Sequence, residues 1–292
     1  MKDEIVIAEA LNGEVRIHIA RTTSLVEEAR KHHDCMPTSI AALGRTLTAT
    51  SIMASDLKNE YETITCIING GGPSGTILAQ ATGKGTVRGF IGDPSLYFVK
   101  EDGHLDVGKA VGTNGNLTVI RDSGLKEAFT GVAPLQTGEI GDDFTYYFAI
   151  SEQVPSVVGV GVLVDVDYSI KAAGGLIYQL MPGATEDTIV YCEELAKRQK
   201  PVSTLIAEGR DLEEIIKEYF PDADILEHRD ISWYCDCSKD KFAASLLTLS
   251  EEDLNELIEE GKGAEVRCEY CNTFYNFTSE ELKEIKTRKA NG

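Results

Sequence analysis

Two short stretches near the end of the chain, Cys235-Asp-Cys237 and Cys268-Glu-Tyr-Cys271, hold four of its seven cysteines. Two close pairs of thiolates on a small module are typical of tetrahedral zinc, and an all-cysteine set leaves no open position for a catalytic water. The residues around the pairs are too few for a generous hydrophobic core, so metal binding would supply folding free energy. We therefore predict one Zn2+ per chain, bound by Cys235, Cys237, Cys268 and Cys271.

The first cysteine pair also suggests redox chemistry. Only Asp236 separates its two cysteines, whereas a zinc knuckle usually has two intervening residues. Thiolates this close are poised to form a disulfide, because the thiolate is the reactive form of cysteine. Oxidation within both pairs would remove all four ligands, and such tiny closed loops would restrict the unfolded chain too little to replace the metal. Two interpretations stay open: a structural zinc site, and a switch in which oxidation unfolds the module.

The rest of the chain divides into two further regions. Residues 1–184 combine helical patterns with short β-branched runs separated by glycine turns such as Gly83-Lys-Gly85. This predicts an α+β core domain with a mostly antiparallel sheet. Residues 185–230 contain short acidic helical patterns with narrow apolar faces, and we interpret them as a helical linker that is stable only when packed on a neighbour. Residues 231–292 are then the zinc-binding redox-switch domain.

The composition disfavours several classes of protein. With 48 acidic and 28 basic residues the net charge is −20, which opposes binding to the phosphate backbone of nucleic acids. The longest strongly apolar run, Val157–Val164, is far shorter than the roughly 20 residues of a membrane span. The N-terminus has no signal-peptide pattern, and an odd number of cysteines is typical of a reducing compartment. We expect a cytoplasmic protein that binds neither nucleic acid nor membrane.

Other candidate sites have simpler interpretations. Gly70–Gly75 matches the dinucleotide-binding pattern G-x-G-x-x-G, but the residues after it predict a hairpin where that site needs a helix. The stretch 32–35 (His-His-Asp-Cys) does not hold a base against a thiol, and we interpret it as a solvated helix terminus. Cys66 and Cys192 are interpreted as packing thiols. Since no catalytic constellation is found, we predict that the chain is not an enzyme.

Beyond the cysteines, motifs along nearly the whole chain resemble those of a known family, the 33 kDa chaperonins, which are redox-regulated heat-shock chaperones. The second cysteine pair lies in Cys268-Glu-Tyr-Cys-Asn, and the spacing between the two pairs fits the family. The further motifs, in the family's order, are Ala20-Arg-Thr-Thr, Ala42-Leu-Gly-Arg-Thr-Leu-Thr-Ala, Leu105-Asp-Val-Gly, Leu117-Thr-Val-Ile, Gly138-Glu-Ile, Tyr146-Tyr-Phe, Ala172-Ala-Gly-Gly and Gln179-Leu-Met-Pro-Gly-Ala.

This resemblance implies a cytoplasmic, ATP-independent holdase that is inactive while it is reduced and zinc-bound. Oxidative stress, helped by heat, would form the disulfides Cys235–Cys237 and Cys268–Cys271, release zinc, and unfold the zinc module and the linker. The exposed apolar surface would bind unfolded client proteins and prevent their aggregation, and active family members are homodimers. The resemblance thus implies that the four cysteines are both metal ligands and redox pairs, and it assigns no individual client-binding residues.

A second function belongs to a different class: a constitutive zinc ribbon that acts as an adaptor for a protein or nucleic-acid partner. Acidic residues outnumber basic ones in 231–292, which weakens the nucleic-acid version. Treatment with peroxide separates the two functions, because a switch gains function when it is oxidised and a constitutive ribbon does not.

Overall fold

The computed structural model describes residues 1–125 and 127–291. These residues fall into two compact units, the first spanning Met1–Tyr234 and the second beginning at Cys235. The first unit contains two sheets with helices, and the second contains helices and a two-stranded hairpin. The mixed α+β class that the sequence predicts is therefore confirmed.

The strands of the first unit form two sheets where the sequence predicted one. The strands are β1 (Glu4–Ala10), β2 (Val15–Arg21), β3 (Thr63–Asn69), β4 (Ile77–Thr82), β5 (Thr86–Ile91), β6 (Asn116–Asp122), β7 (Phe129–Pro134), β8 (Ser156–Val164), β9 (Ile170–Leu180), β10 (Asp224–Asp230) and β11 (Ser232–Trp233). The five-stranded sheet has the order β10-β1-β2-β9-β8, and the six-stranded sheet has the order β11-β5-β4-β3-β6-β7. Neighbouring strands are antiparallel, except that β11 pairs in parallel with β5.

The helices of the first unit pack against its two sheets, and the second unit has helices of its own. Those of the first unit are α1 (Thr23–His33), α2 (Pro37–Ala54), α3 (Val107–Val111), α4 (Gly141–Tyr147), α5 (Glu186–Arg198), α6 (Val202–Ala207) and α7 (Leu212–Tyr219). A π-helical turn, Phe148–Glu152, continues α4. The second unit contains α8 (Lys239–Leu246), α9 (Glu251–Glu259), the hairpin strands β12 (Ala264–Arg267) and β13 (Phe274–Phe277), and α10 (Ser279–Asn291).

Helix α2 lies between the two sheets and is the reason that there are two. All of its residues except Arg45 are buried, and it packs against β3–β5 of one sheet and against β2, β8 and β9 of the other. Buried hydroxyls are costly unless they are bonded, but Thr46, Thr48 and Thr50 each donate to the carbonyl four residues earlier, at 2.8 to 2.9 Å. Because these hydroxyls are bonded within the helix, α2 can be buried between the two sheets.

The segment predicted as a linker, 185–230, packs on the outer face of the five-stranded sheet. Helices α5, α6 and α7 share one apolar cluster with the sheet, and β10 extends the sheet beside β1. Strand β10 was not predicted because Asp224-Ile-Leu-Glu-His-Arg-Asp230 has no apolar alternation. The buried members of the cluster include Val6, Ala8, Val15, Ile17, Ile19, Leu176 and Tyr178 from the sheet, and Cys192, Leu195, Leu205, Leu212, Ile215, Ile216 and Phe220 from the linker.

The second unit has a small apolar core. Its cluster of buried side chains consists of Leu254, Phe277, Leu282 and Ile285, and no residue of α8 is buried. Burial of a large apolar side chain contributes only about 1.5 to 3 kcal/mol, so this core offers little against the conformational entropy of the segment. The unit therefore needs a further source of stability, as the sequence predicted.

Candidate metal centre

The four cysteines of the second unit come from two local structures. Cys235 and Cys237 lie in the extended segment that ends at Ser238, whose side chain accepts from the backbone N–H of Lys241 and caps α8. Cys268 and Cys271 lie in the turn between β12 and β13. The turn places both thiols on one side of the hairpin end.

The turn has the backbone hydrogen bonds of a tight metal-binding loop. The N–H of Asn272 donates to the carbonyl of Cys268 at 2.8 Å, and the N–H of Cys268 donates to the carbonyl of Thr273 at 2.9 Å. Asn272 has a φ of 56°, a left-handed conformation that asparagine tolerates better than most residues. Its neighbour Cys271 is thereby turned back toward Cys268.

All four Sγ atoms lie within 4.8 Å of one another. The Sγ atoms of Cys235 and Cys268 are 3.7 Å apart, and those of Cys237 and Cys271 are 3.3 Å apart. A tetrahedral ion with metal–sulfur bonds of about 2.3 Å requires sulfur atoms about 3.8 Å apart. The quartet predicted from the sequence is thus brought together at the spacing that such an ion requires, and the four residues are positioned to hold a metal ion.

The electrostatics of the quartet favour a bound cation. Burial raises the pKa of the Cys235 thiol to about 12. Burial also acts to raise the pKa of Cys271, but hydrogen bonds from the hydroxyl and the backbone N–H of Thr273 outweigh it, and the pKa falls to about 7. Like charges confined to one small volume oppose each other's ionisation. A divalent cation removes that repulsion and deprotonates its coordinating thiols, so the donor set fits Zn2+.

Tyr275 belongs to the site and was missed in the sequence. Its hydroxyl donates to the carbonyl of Cys237 at 3.1 Å and lies 3.1 Å from the Sγ atom of the same residue. Its ring packs against Phe242 of α8, with centroids 5.1 Å apart. Tyr275 thus ties the first cysteine pair to the hairpin that carries the second. The only sequence signal is its position four residues after Cys271, which does not distinguish it from an ordinary strand aromatic.

The other three cysteines are buried in the first unit. Cys35, Cys66 and Cys192 are free thiols, and burial raises the pKa of Cys35 and Cys66 to about 12 and that of Cys192 to about 11. A thiol with a raised pKa is a poor nucleophile near neutral pH. The interpretation of Cys66 and Cys192 as packing residues is consistent with these positions.

The interpretation of residues 32–35 as a solvated helix end was wrong for Cys35, which is buried, and for His33. Its Nε2 atom lies 2.9 Å from the carbonyl oxygen of Gly89, and the residue is buried. Trp233 stacks on His32 with centroids 5.4 Å apart and meets His33 edge-on at 6.3 Å. The histidines therefore hold β11, the strand that immediately precedes the first cysteine pair, against α1. The local sequence could not show this contact, because Trp233 lies 200 residues from His33 in the chain.

Comparison with known proteins identifies the family. A family model described as "Hsp33 protein" matches residues 3–278. The chain belongs to the Hsp33 family. The family resemblance drawn from the motifs is thereby confirmed.

Hsp33 relatives match over the full length. The 33 kDa chaperonins of Geobacillus kaustophilus and Clostridium botulinum are 48% and 47% identical to the chain, each over 98% of both sequences. The crystal structure of the 33 kDa chaperonin (heat shock protein 33 homolog) from Thermotoga maritima has a TM-score of 0.92 at 34% identity, covering 100% of both chains. Within the described residues of the chain, no helix has the length and apolar character needed to cross a bilayer.

Proposed function

We propose that this protein is a redox-regulated, ATP-independent holdase that is inactive when Cys235, Cys237, Cys268 and Cys271 are reduced and hold Zn2+. The observation that carries the proposal is the quartet itself: four thiols within 4.8 Å of one another in a unit whose buried apolar cluster has only four members. Bound zinc would contribute Lewis-acid stabilisation of thiolates and folding free energy. The same thiolates are the groups that an oxidant attacks.

The activating step is the formation of two disulfides. Cys235 and Cys237 form one and Cys268 and Cys271 the other, and each pair gives up two electrons to one molecule of a peroxide-class oxidant. A thiolate attacks the peroxide to give a sulfenic acid and hydroxide, and the neighbouring thiolate displaces the sulfenic oxygen as a second hydroxide. The two hydroxides take up two protons as water. With both disulfides formed, no thiolate remains to bind Zn2+, and the second unit loses its main source of stability.

The linker provides the apolar surface that activation would uncover. Its helices bury Ile17, Ile19, Leu176 and Tyr178 of the five-stranded sheet, and a contiguous apolar area of this kind binds other apolar chains once it is exposed. The last strand of the first unit, β11, ends two residues before Cys235. Unfolding that starts in the second unit would thus begin next to the strands that anchor the linker.

The partners that follow from this function are unfolded client proteins, which the uncovered surface binds through apolar contacts, and a second copy of the chain in an active homodimer. The function requires neither ATP nor a catalytic residue, so the chain would act as a chaperone and not as an enzyme. A thiol switch of this kind needs a compartment that is normally reducing, which places the protein in the cytoplasm as part of a stress response.

Light scattering from a heat-denaturing client tests the proposal. The protein is added either reduced with zinc or after treatment with peroxide at raised temperature, with release of zinc followed by a chromogenic chelator. We expect only the oxidised form to suppress aggregation, and reductant with zinc to reverse the effect. Cys66→Ala is the matched control, because it removes a thiol that lies outside the quartet and outside the apolar cluster of the linker, and it should leave the response intact. Equal activity of both forms, or of neither, would refute the switch and favour a constitutive zinc-ribbon adaptor.

A further inference from the structure

The four residues 231–234 connect the linker to the second unit. They follow β10, the last strand of the five-stranded sheet along the chain, and they include β11, an edge strand of the six-stranded sheet. One residue, Ile231, therefore carries the chain from one sheet to the other. Tyr234 is followed directly by Cys235, so the covalent path from the quartet to the linker runs through β11.

Strand β11 is short, and its backbone pairing is limited. The N–H of Ser232 donates to the carbonyl of Gly85 at 3.0 Å. The N–H of Tyr234 donates to the carbonyl of Val87, also at 3.0 Å. The pairing with β5 is parallel, which is slightly less stable per residue than antiparallel pairing. A short edge strand of this kind opens more easily than the centre of a sheet, so its attachment depends on side chains.

Two side chains attach residues 231–234 to the first unit. Ile231 is 6% exposed and belongs to the apolar cluster that α2 shares with the two sheets. Trp233 packs against the same cluster, and its ring stacks on His32 with an interplanar angle of 23°. Aromatic pairs of this kind stabilise a contact beyond the apolar area that they bury. Trp233 is therefore the main side-chain anchor of β11 itself.

The turn between β4 and β5 fits closely against the junction of β10 and β11. Gly85 has a φ of 86°, and a Cβ atom at this position would lie 2.2 Å from the carbonyl oxygen of Asp230. The same residue accepts the hydrogen bond from Ser232. One turn thus supports both the end of β10 and the start of β11, and loss of β11 from this position removes a support of β10.

We propose that residues 231–234 act as a clamp on the linker: β10 can leave β1 only after β11 has left β5. The inference rests on the proposed redox switch and adds one step to it. Loss of the metal would unfold the unit from Cys235 onward, and β11 would lose the folded segment that follows it in the chain. Release of Trp233 from His32 would then free β10 and open the linker from its C-terminal end. The stability of the clamp thus sets how far oxidation alone uncovers the client-binding surface.

Trp233 is the only tryptophan in the chain, so its fluorescence reports the clamp directly. The reduced, zinc-loaded protein is treated with peroxide while a chromogenic chelator follows the metal. We expect zinc release to come first, and the shift of tryptophan emission to that of a solvated indole to follow as a slower phase that accelerates on warming. A complete shift that coincides with zinc release at every temperature would mean that β11 has no stability of its own, and would overturn the clamp.

Hydrogen exchange on the oxidised wild-type protein tests the order of events without a variant. The amides of Ser232 and Tyr234 should lose protection before those of β10 or together with them, at every temperature. Loss of protection in β10 while Ser232 and Tyr234 are still protected would overturn the clamp and leave the redox switch in place. An oxidised protein that suppresses client aggregation while β10 stays paired with β1 would have the same meaning.

Two variants weaken the clamp from opposite sides. Trp233→Ala removes the stacked ring, and its control is Tyr234→Ala, at a neighbouring residue that is 56% exposed. Gly85→Ala forces a Cβ atom against the carbonyl of Asp230. Its control is Gly103→Ala, because Gly103 has the same φ of 86° and a Cβ atom there would have nothing within 4 Å. All four changes lie outside the quartet and should leave the zinc content of the reduced protein unchanged.

The variants separate the clamp from the switch as a whole. We expect Trp233→Ala and Gly85→Ala to speed exchange of β10 about tenfold in the oxidised protein, the loss of about one aromatic contact. Both should also suppress client aggregation after a shorter exposure to peroxide, and neither control should do so. If both variants behave like their controls, the clamp is wrong and the redox switch stands. If the oxidised wild type does not suppress aggregation at all, the proposed function fails as well.

Discussion

Neither the linker nor the cysteine-bearing unit has a large apolar core of its own, yet the two are stabilised in different ways. The linker shares a large apolar cluster with the five-stranded sheet, including the fully buried Leu212, Ile215 and Phe220. The second unit has four buried apolar side chains and the cysteine quartet. In the proposed switch, the oxidant acts on the quartet. The difference teaches that, in such a switch, the chemical sensor and the surface to be uncovered are separate parts, whose stabilities can be changed one at a time.

The largest expected effect comes from removing a single metal ligand. In Cys268→Ser we expect the whole unit from Cys235 onward to lose hydrogen-exchange protection and zinc, because structural zinc contributes roughly 10 to 16 kcal/mol in small domains. Residues 1–184 should keep their protection, since the apolar cluster that α2 shares with the two sheets contains no quartet residue, whereas the linker should exchange faster, as the proposed switch requires. Exchange measured by region, with metal content, checks both statements.

Cys66→Ala is the control for this prediction, because Cys66 is fully buried in the first unit. It should leave the zinc content at one per chain. A Cys268→Ser protein that keeps its protection in the second unit would show that the apolar core is sufficient there, and the contrast between the two segments would disappear.

The second largest effect is expected when the linker is weakened and the quartet stays reduced. Phe220 is fully buried, and its ring meets those of Tyr178 and Tyr191 with centroids 5.6 and 5.9 Å apart. Phe220→Ala should destabilise docking by about 3 to 5 kcal/mol. We expect faster exchange across 185–220 and client binding without peroxide, with zinc retained. Leu226→Ala, at a residue that is 53% exposed, should change neither. If the Phe220→Ala protein still required oxidation for chaperone activity, docking of the linker would not be what keeps the reduced protein inactive.

The sequence predicted the quartet because its evidence is local. Four cysteines in two short motifs define a metal site wherever the surrounding chain goes, and the structure brings them within 4.8 Å. The turn at Gly83-Lys-Gly85 was likewise predicted from local sequence, and it joins β4 to β5. Features that depend on distant partners were not predicted. Strand β10 pairs with β1 more than 200 residues away, and His33 is buried by a contact with Gly89.

A smaller effect comes from a buried histidine at the centre of the docked sheet. Arg16 Nε–H donates to His18 Nε2 at 3.2 Å, and His18 Nδ1 lies 3.0 Å from Ser55 Oγ. Nε2 therefore accepts, and the ring is neutral with its proton on Nδ1. Burial lowers the pKa of His18; Asp56, 3.7 Å away, acts to raise it, while Arg16 and Arg229 lower it further.

The sign of the pH dependence follows from this lowered pKa. The unfolded chain binds a proton near pH 6.5 and the folded chain only at lower pH, so the stability contributed by His18 is complete above pH 6.5 and is lost as the pH falls toward the folded-state pKa. The slope is at most about 1.4 kcal/mol per pH unit. Urea unfolding of the first unit between pH 7.5 and 5 should show this loss, and His18→Gln should reduce the slope. An identical slope in the variant would assign the acid sensitivity to other groups.

The smallest effect tests whether charge adds anything to the apolar docking of the linker. His228 of β10 lies 3.1 Å from Glu4 of β1 through Nδ1 and 3.1 Å from Glu213 of α7 through Nε2. The hydrogen bond to Glu4 and the charges of both carboxylates raise the pKa of His228. Two further cations lie near these carboxylates: Arg21 is 3.7 Å from Glu4, and Lys217 is 4.0 Å from Glu213. Both cations compete with His228 for the carboxylates and so weaken the bridge.

Because the pKa is raised in the folded protein, the bridge stabilises docking fully below pH 6.5 and is lost as the pH rises through the folded-state pKa. The imidazole is about half exposed, so solvent and salt screening limit the effect to about 0.2 to 1 kcal/mol. The ratio of linker exchange rates between His228→Gln and the wild type should be above one at pH 6 and approach one at pH 8.5, and 1 M salt should abolish it. A ratio independent of pH would mean that this bridge adds nothing to the apolar contacts and the backbone hydrogen bonds that hold α7 and β10.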